Sequence, residues 1–517
     1  MNTNRLSLAL SALLGGLALP VQALELYVDT KTQQVFTAPG KGRVRLGEFQ
    51  QVDGPAASKT TPAEAKALES SLDKKKAELE ALEARLDKKK DTIRTVERKI
   101  DAAAVESTST EKKWYDKIGI KGYAQARYSQ ILSTGDKTDR LGLMSTTDRS
   151  IGQNQDLLLR RARLVVSGDV SDHLAIYLQG DFSAGLSGPG APSSGDSTTQ
   201  GNYFQMRDYY GDVYFDHQRE YRVRVGQSKV PFGWENLQSS QNRVALERAD
   251  ALDSTAVRDE RDLGVFAYWT PSAIQDRFKY LQKSGMRGSG DYGVLGLGIY
   301  NGQGANRFEN NDNFHLVARA TWPFELPGNQ FLEVGASGYM GRYMVSPATI
   351  AETNVRPTIR TSGNNQNHGV QDDRYAVHAI LYPRPFGLQA EWTMGHGPRL
   401  FNATTTNPYI AAGNVSGGYV QAMYKIDHWY GTWVPYVKWE TYDGGTKFDN
   451  NSPMAHFDQL EGGIEWQPMP EVELTAAYSH MDRTNTSAGG VKGDKGKQEN
   501  YRQYAGDVLR LQLQYNY

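Results

Sequence analysis

From Ile118 to the carboxy-terminus, apolar and polar residues alternate with a period of two, in segments of about 8 to 12 residues. That is the length a tilted β-strand needs to cross a bilayer. The last segment shows the pattern best: Leu509, Leu511, Leu513, Tyr515 and Tyr517 alternate with Arg510, Gln512, Gln514 and Asn516. Side chains point alternately to the two faces of a strand, so one face suits lipid and the other water. Sixteen such segments are predicted, near residues 119–130, 157–168, 172–183, 206–216, 221–228, 262–270, 291–300, 314–322, 330–341, 373–382, 387–395, 417–426, 432–442, 458–467, 471–482 and 506–517. An even count puts both barrel ends in the periplasm. Short turns such as Asp216 to Glu220 and Pro383 to Phe386 then exchange with long polar loops such as Arg342 to Asp372. Short inside and long outside is the rule for outer-membrane barrels. The expectation is an all-β fold, a 16-stranded antiparallel transmembrane β-barrel over residues 115–517. One inner connection, Pro271 to Gly290, is too long for the rule and has no strand pattern to explain it.

Upstream the period changes. Arg5 precedes an apolar run from Leu6 to Leu19 that ends in Pro20-Val21-Gln22-Ala23, which predicts a cleaved signal peptide over 1–23. The run is too short to span a membrane as a helix. Residues 24–62 form a mixed periplasmic segment with one potential hairpin. Over 63–106, Leu72, Leu79, Leu86, Ile93 and Ile100 fall seven apart, with Leu68, Leu82 and Val96 on the companion seam. This predicts an α-helical coiled coil, interrupted by Lys75 and Lys89. It reads as an oligomerisation stalk; a solvated spacer and an envelope tether are the other readings.

Mean hydropathy of −0.60, with no later apolar run of helix-spanning length, excludes helical membrane spans but not a barrel with a polar interior. With no cysteine among 517 residues, disulfides, thiol catalysis and thiolate metal sites all drop out. The 58 basic and 59 acidic residues nearly cancel, so net charge suggests no partner, and nucleic acid is not expected. An enzyme is not expected either. There is no Gly-x-Ser-x-Gly elbow, and His396 has no serine cue. Asp372-Asp373 and Asp259-Glu260 are adjacent on extended chain and point apart. Gly296-Leu297-Gly298 lacks the third glycine of a dinucleotide site, and no cofactor is predicted. Trp269, Trp322, Trp392, Trp433, Trp439 and Trp466 read as an interfacial girdle.

The connection from Lys229 to Asp262 is long and dense in charge, with Glu235, Arg243, Glu247, Arg248, Arg258 and Arg261. In a barrel this wide such a loop can fold inward and bring ionisable groups to a constriction. The segment Val225-Gly226-Gln227-Ser228-Lys229-Val230-Pro231-Phe232-Gly233-Trp234-Glu235-Asn236-Leu237, with Leu246-Glu247-Arg248 after it, resembles the hallmark of the phosphate-selective porin O and P family. Leu159-Arg160-Arg161-Ala162-Arg163-Leu164 resembles its second recurring motif. The resemblance covers about residues 115–517. It implies a homotrimeric outer-membrane channel for small anions such as phosphate.

Strand parity places a basic lining inside: Arg127, Arg161, Arg163, Arg222, Arg224, Arg319, Lys425, Lys438 and Arg510, with Lys229 at the loop entry. The motif adds Arg160, although parity turns it away from Arg161 and Arg163. Asp208, Asp212, Glu333, Glu440, Glu461, Glu465 and Glu473 share the inward parity. The expectation is passive diffusion of small anions past an arginine and lysine lining. A neutralised wall, making a general diffusion porin, stays open beside it, as does a structural tethering barrel.

Overall fold

The computed structural model describes residues 113–134, 151, 156–183, 204–249, 251, 260–350, 353–361, 368–403, 405–447, 449–486 and 501–517, and the backbone of three strands nearer the amino-terminus. The chain divides into two units, Met1–Glu111 and Lys112–Tyr517. In the first, Ala23–Asp29 pairs antiparallel with Arg43–Gln50 and with Val35–Phe36. The expected signal peptide and the coiled coil over 63–106 lie outside the described residues, save Ala23 and Lys75.

The second unit is a closed antiparallel barrel of sixteen wall strands among the described residues. They are β1 (Ile118–Thr134), β2 (Asp156–Ser171), β3 (Leu174–Asp181), β4 (Gln205–Tyr214), β5 (Tyr221–Lys229) and β6 (Arg261–Trp269). Next come β7 (Leu295–Tyr300), β8 (His315–Leu326), β9 (Gln330–Tyr343), β10 (Val370–Leu381) and β11 (Phe386–Phe401). The last are β12 (Tyr409–Tyr424), β13 (Gly431–Gly445), β14 (Met454–Met469), β15 (Val472–Thr486) and β16 (Tyr501–Asn516). β16 closes on β1 with Asn516 opposite Tyr123 and Gln512 opposite Arg127. All sixteen expected strands are present, and many extend beyond their apolar cores because ladder hydrogen bonds continue past the hydrocarbon layer.

The burial pattern is that of a soluble protein turned inside out. Leu295, Leu297 and Ile299 of β7 are exposed, as are Leu511, Leu513 and Tyr515 of β16, while Arg510, Gln512 and Gln514 between them are buried. Apolar side chains outside and polar ones inside are what a lipid-embedded, polar-cored barrel requires. Trp269, Trp322, Trp433 and Trp466 sit near periplasmic strand ends, as a girdle demands, and Trp433 stacks on Trp466 at 5.2 Å. Trp392 and Trp439 do not; they lie mid-strand on β11 and β13.

The unexplained inner connection contains a helix, α1 (Ser272–Lys283). Its apolar residues Ile274, Phe278 and Leu281 recur at i, i+4 and i+7 and are buried together. Gly285, at φ +69, stops it in the left-handed conformation usual just after a helix end. Two neighbouring turns and the end of β8 hold α1 in place. Gln275 Nε2 donates to the carbonyls of Gln218 and Arg219, Arg277 Nη1 to that of Pro323 at 2.6 Å, and Arg384 Nη1 to the Tyr280 hydroxyl at 2.8 Å.

Candidate functional site

Between β5 and β6 the chain turns into the barrel, and the turn rests on one glycine. Gly233 has φ +71, a conformation costly for any residue with a Cβ, and an added Cβ would meet Glu391 Oε1 at 2.4 Å. The backbone N–H groups of Trp234 and Glu235 donate to the two Glu391 oxygens at 2.8 and 2.9 Å, and that of Gly233 to Ser337 Oγ at 2.9 Å. Arg319 Nη1 donates to the Gly233 carbonyl at 2.6 Å and Nη2 to Glu333 at 3.3 Å. The Phe-Gly-Trp-Glu stretch is thus the hinge that seats the loop against β8, β9 and β11. Trp234 is fully buried; its Nε1 donates to Glu333 at 3.1 Å, and its ring packs against Phe278, Leu281 and Tyr382.

Further along, Glu247 collects three guanidinium groups. Arg127 Nη1 donates at 2.6 Å, Arg160 at 2.9 and 3.1 Å, and Arg161 Nη2 at 2.8 Å. Burial by itself would raise this carboxyl, but the arginines outweigh it and hold it well below the ordinary range. Lys438 donates to Glu235 at 2.9 Å and to the Glu247 carbonyl at 3.1 Å. Arg248 donates to the carbonyls of Glu235, Asn236 and Gln238, and Lys229 to those of Leu237 and Gln238 at 2.9 Å. Arg243 is buried on the same loop, and Arg258 lies outside the described residues.

Arg160 departs from its parity. The register between β1 and β2 shifts where Gln125 faces Arg161 and Ala126 faces Leu159, so Arg160 is the extra residue of a β-bulge. The bulge lets consecutive arginines reach the same carboxylate. A second bulge makes Arg207 the extra residue of β4 against β3 and buries it beside Asp208.

Most other expected cations are on the wall and paired. Arg163 donates to Asp181 at 2.9 Å and to the Tyr123 hydroxyl at 2.8 Å. Arg224 grips Asp212 with two nitrogens, at 2.8 and 2.9 Å, and lies 3.7 Å above the Tyr210 ring. Arg222 pairs with Asp291 at 3.1 Å, Arg261 with Asp208 at 2.9 Å, and Arg510 with Glu461. Lys425 is not on the wall. β12 ends at Tyr424, and Lys425 sits in the periplasmic turn, donating to the exposed Asp427 at 2.9 Å, because the strand partner that would carry it inward ends there.

Parity missed several interior cations. Arg287, beyond α1, pairs with Glu465 and Glu473. Lys447, in the loop after β13, pairs with Asp372, whose carboxylate also meets His315 Nε2 at 3.1 Å. Arg374 on β10 is completely buried, and none of its three guanidinium nitrogens has a hydrogen-bond partner among the described residues. The buried charges among the described residues come to seventeen basic and fourteen acidic, an excess of three positive. A cavity of about 580 Å³ runs along the β1 to β6 wall; Lys121, Arg163, Arg224, Lys229, Arg261, Lys283 and Arg287 line it against three carboxylates, Asp208, Asp291 and Glu473. No group of residues suited to hold a metal ion is present among the described residues.

An inserted loop cradled by wall arginines inside a lipid-facing barrel is a channel architecture, and the family model for phosphate-selective porin O and P matches residues 140–517. The chain belongs to that family. It is therefore an outer-membrane porin. Among solved structures it is similar to OmpF of Salmonella typhi in complex with daunomycin, with 11% identity, 77% of this chain and 97% of that one covered, and a TM-score of 0.45. It is also similar to an anion-selective porin from Comamonas acidovorans, with 10% identity, coverage of 77% and 99%, and a TM-score of 0.41. A third similarity is to the trimer form of OmpT from Vibrio cholerae, with 10% identity, coverage of 77% and 99%, and a TM-score of 0.39. No curated protein matches the sequence.

Proposed function

We propose that this porin passes small anions, phosphate among them, by passive diffusion, and that it works as the homotrimer its family resemblance implies. The observation that carries the reading is the lining of the open cavity, where seven cations face three carboxylates. A locally positive, low-dielectric wall concentrates anions and repels cations, and arginine's planar fork suits phosphate oxygens. Several weak sites in series let an ion leave as readily as it enters.

The extent of pairing favours a second reading. With fourteen buried acids against seventeen bases, most of the wall is neutralised, which suits a general diffusion porin. Reversal potential across a planar bilayer under a potassium chloride gradient separates the two. The anion reading expects chloride to outrun potassium several-fold and added phosphate to reduce chloride current. Equal permeability, or cation preference, would leave the general porin.

A further inference from the structure

Every aromatic side chain that lines the open cavity is a tyrosine: Tyr123, Tyr177, Tyr210, Tyr292 and Tyr517. Tyr177 on β3 and Tyr210 on β4 are opposite in register, and their rings stack at 5.1 Å with 9° between the planes. Neither is fully buried, and the pair also borders a second cavity, of about 220 Å³, beside Ser167, Asp169 and Asp212. The stacked pair is therefore reached from two sides. Tyr292, half-buried on the connection between β6 and β7, faces the first cavity as well.

Arg224 stands among these rings. Its Cζ lies 3.7 Å from the centre of the Tyr210 ring and 5.4 Å from those of Tyr268 and Tyr292. Asp212 holds Nε and Nη2, but Nη1 has no hydrogen-bond partner among the described residues, although the side chain is only 4% exposed. A buried charged donor left open calls for an acceptor. Tyrosine faces carry the negative side of the ring quadrupole, so they repel a bare anion and attract a cation or an electron-poor ring. A small inorganic anion could accept from Nη1 but would gain nothing from the tyrosines, and a neutral sugar could stack but would leave Nη1 open. A flat ring that carries a carboxylate does both.

We propose that Tyr177, Tyr210, Tyr292 and Arg224 form a binding site for planar aromatic carboxylates, in which the carboxylate accepts from Arg224 Nη1 and the ring lies against tyrosine. The inference deepens the channel reading and rests on the cavity being the solute path. It names a class of organic anion that this porin takes up in preference to aliphatic ones of the same charge.

The full-length porin is reconstituted in planar bilayers, and the concentration that halves the chloride current is measured for benzoate and for cyclohexanecarboxylate. The second acid has the same charge and nearly the same size but no flat ring. Benzoate should block at a concentration about threefold or more lower, the scale of one aromatic contact. The double variant Tyr177→Leu with Tyr292→Leu should bring the two acids together, whereas Tyr177→Phe, which keeps the ring, should keep the preference. Each ratio is taken within one channel, so a change in a variant's own conductance cancels. Equal block by the two acids in the wild type, a preference that survives in a double variant of wild-type heat-modifiable mobility, or glucose blocking as strongly as benzoate would overturn the site. A benzoate preference in a channel whose reversal potential shows no chloride selectivity would end the anion-porin reading and leave the aromatic site standing.

Discussion

Glu247→Gln is the most informative change to the loop clamp. Glu247 is one carboxylate facing three guanidinium groups, so the cluster carries a net charge of +2 and the variant carries +3. The amide keeps the shape but neutralises the carboxylate that Arg127, Arg160 and Arg161 share. Breaking a buried ion pair from one side costs on the order of 3–5 kcal/mol, because the remaining charges stay desolvated. In a barrel of this size that is a fall of roughly 5 °C in the melting midpoint. The pH dependence has a definite sign. The folded carboxyl lies below its unfolded value of 4.5, so its contribution is present above pH 4.5 and is lost as pH falls through the lower folded value. The clamp therefore holds at pH 5 and gives way only in stronger acid, and the variant lacks this acid transition. Melting in detergent, limited proteolysis of the loop and reversal potential would be measured together. Lower stability, faster loop cleavage and, while the loop stays docked, a higher chloride preference are expected. Wild-type melting together with a wild-type reversal potential would refute the clamp.

The remaining predictions probe the hinge, the packing and one titrating group. Trp234→Ala empties the space between loop and helix and should cost about 3–5 kcal/mol, with larger single-channel conductance as the loop loosens; unchanged conductance would detach that side chain from the constriction. Gly233→Ala places a Cβ at φ +71 against Glu391 and should cost more than the 1–2 kcal/mol of the left-handed conformation itself, seen as faster proteolysis between 230 and 250. Burial pushes Glu260 up to about 7, so it is neutral at pH 6 and charged at pH 8. Folding then retains a proton that the unfolded chain releases near 4.5, and stability falls as pH rises from there to about 7. Chloride preference should be lower at pH 8 than at pH 6, and Glu260→Gln should abolish the part of that difference carried by this residue.

The barrel could be read from the chain because a membrane strand encodes its orientation at every second residue. Leu509 to Tyr517 announces both faces, and no other fold makes use of that alternation beside a polar interior of the same size. The helix was equally visible in principle, since Ile274, Phe278 and Leu281 carry the helical period, but twelve residues between strands are easily passed over as a loop. The inner surface was harder. Parity placed Arg222, Arg224 and Arg510 correctly and failed at Arg160 and Arg207, because a bulge adds one residue and breaks the count without leaving a mark in the local composition. Arg287 and Lys447 were missed because they come from connections, where no parity operates.

Pairing was the least readable property, and the reason bears on how the porin works. The carboxylate that gathers Arg127, Arg160 and Arg161 is not on a neighbouring strand but on the inserted loop, about 90 to 120 residues away in sequence. Lys438 is shared between Glu235 of that loop at 2.9 Å and Glu440 of its own strand at 3.6 Å. Wall arginines paired by wall acids, such as Arg224 with Asp212, keep their charge state whatever the loop does. Those paired by the loop do not: if it lifts, Arg127, Arg160 and Arg161 lose the Glu247 carboxylate together, while Lys438 keeps Glu440 of the wall. The loop therefore controls width and charge at once, and any variant that loosens it should widen the pore and make its wall more positive. A channel built this way admits more anion current when its loop is displaced by more than its gain in cross-section alone would allow. Comparing chloride with potassium permeability in Trp234→Ala tests that coupling, because widening alone would move the ratio toward unity and the release of wall cations moves it the other way.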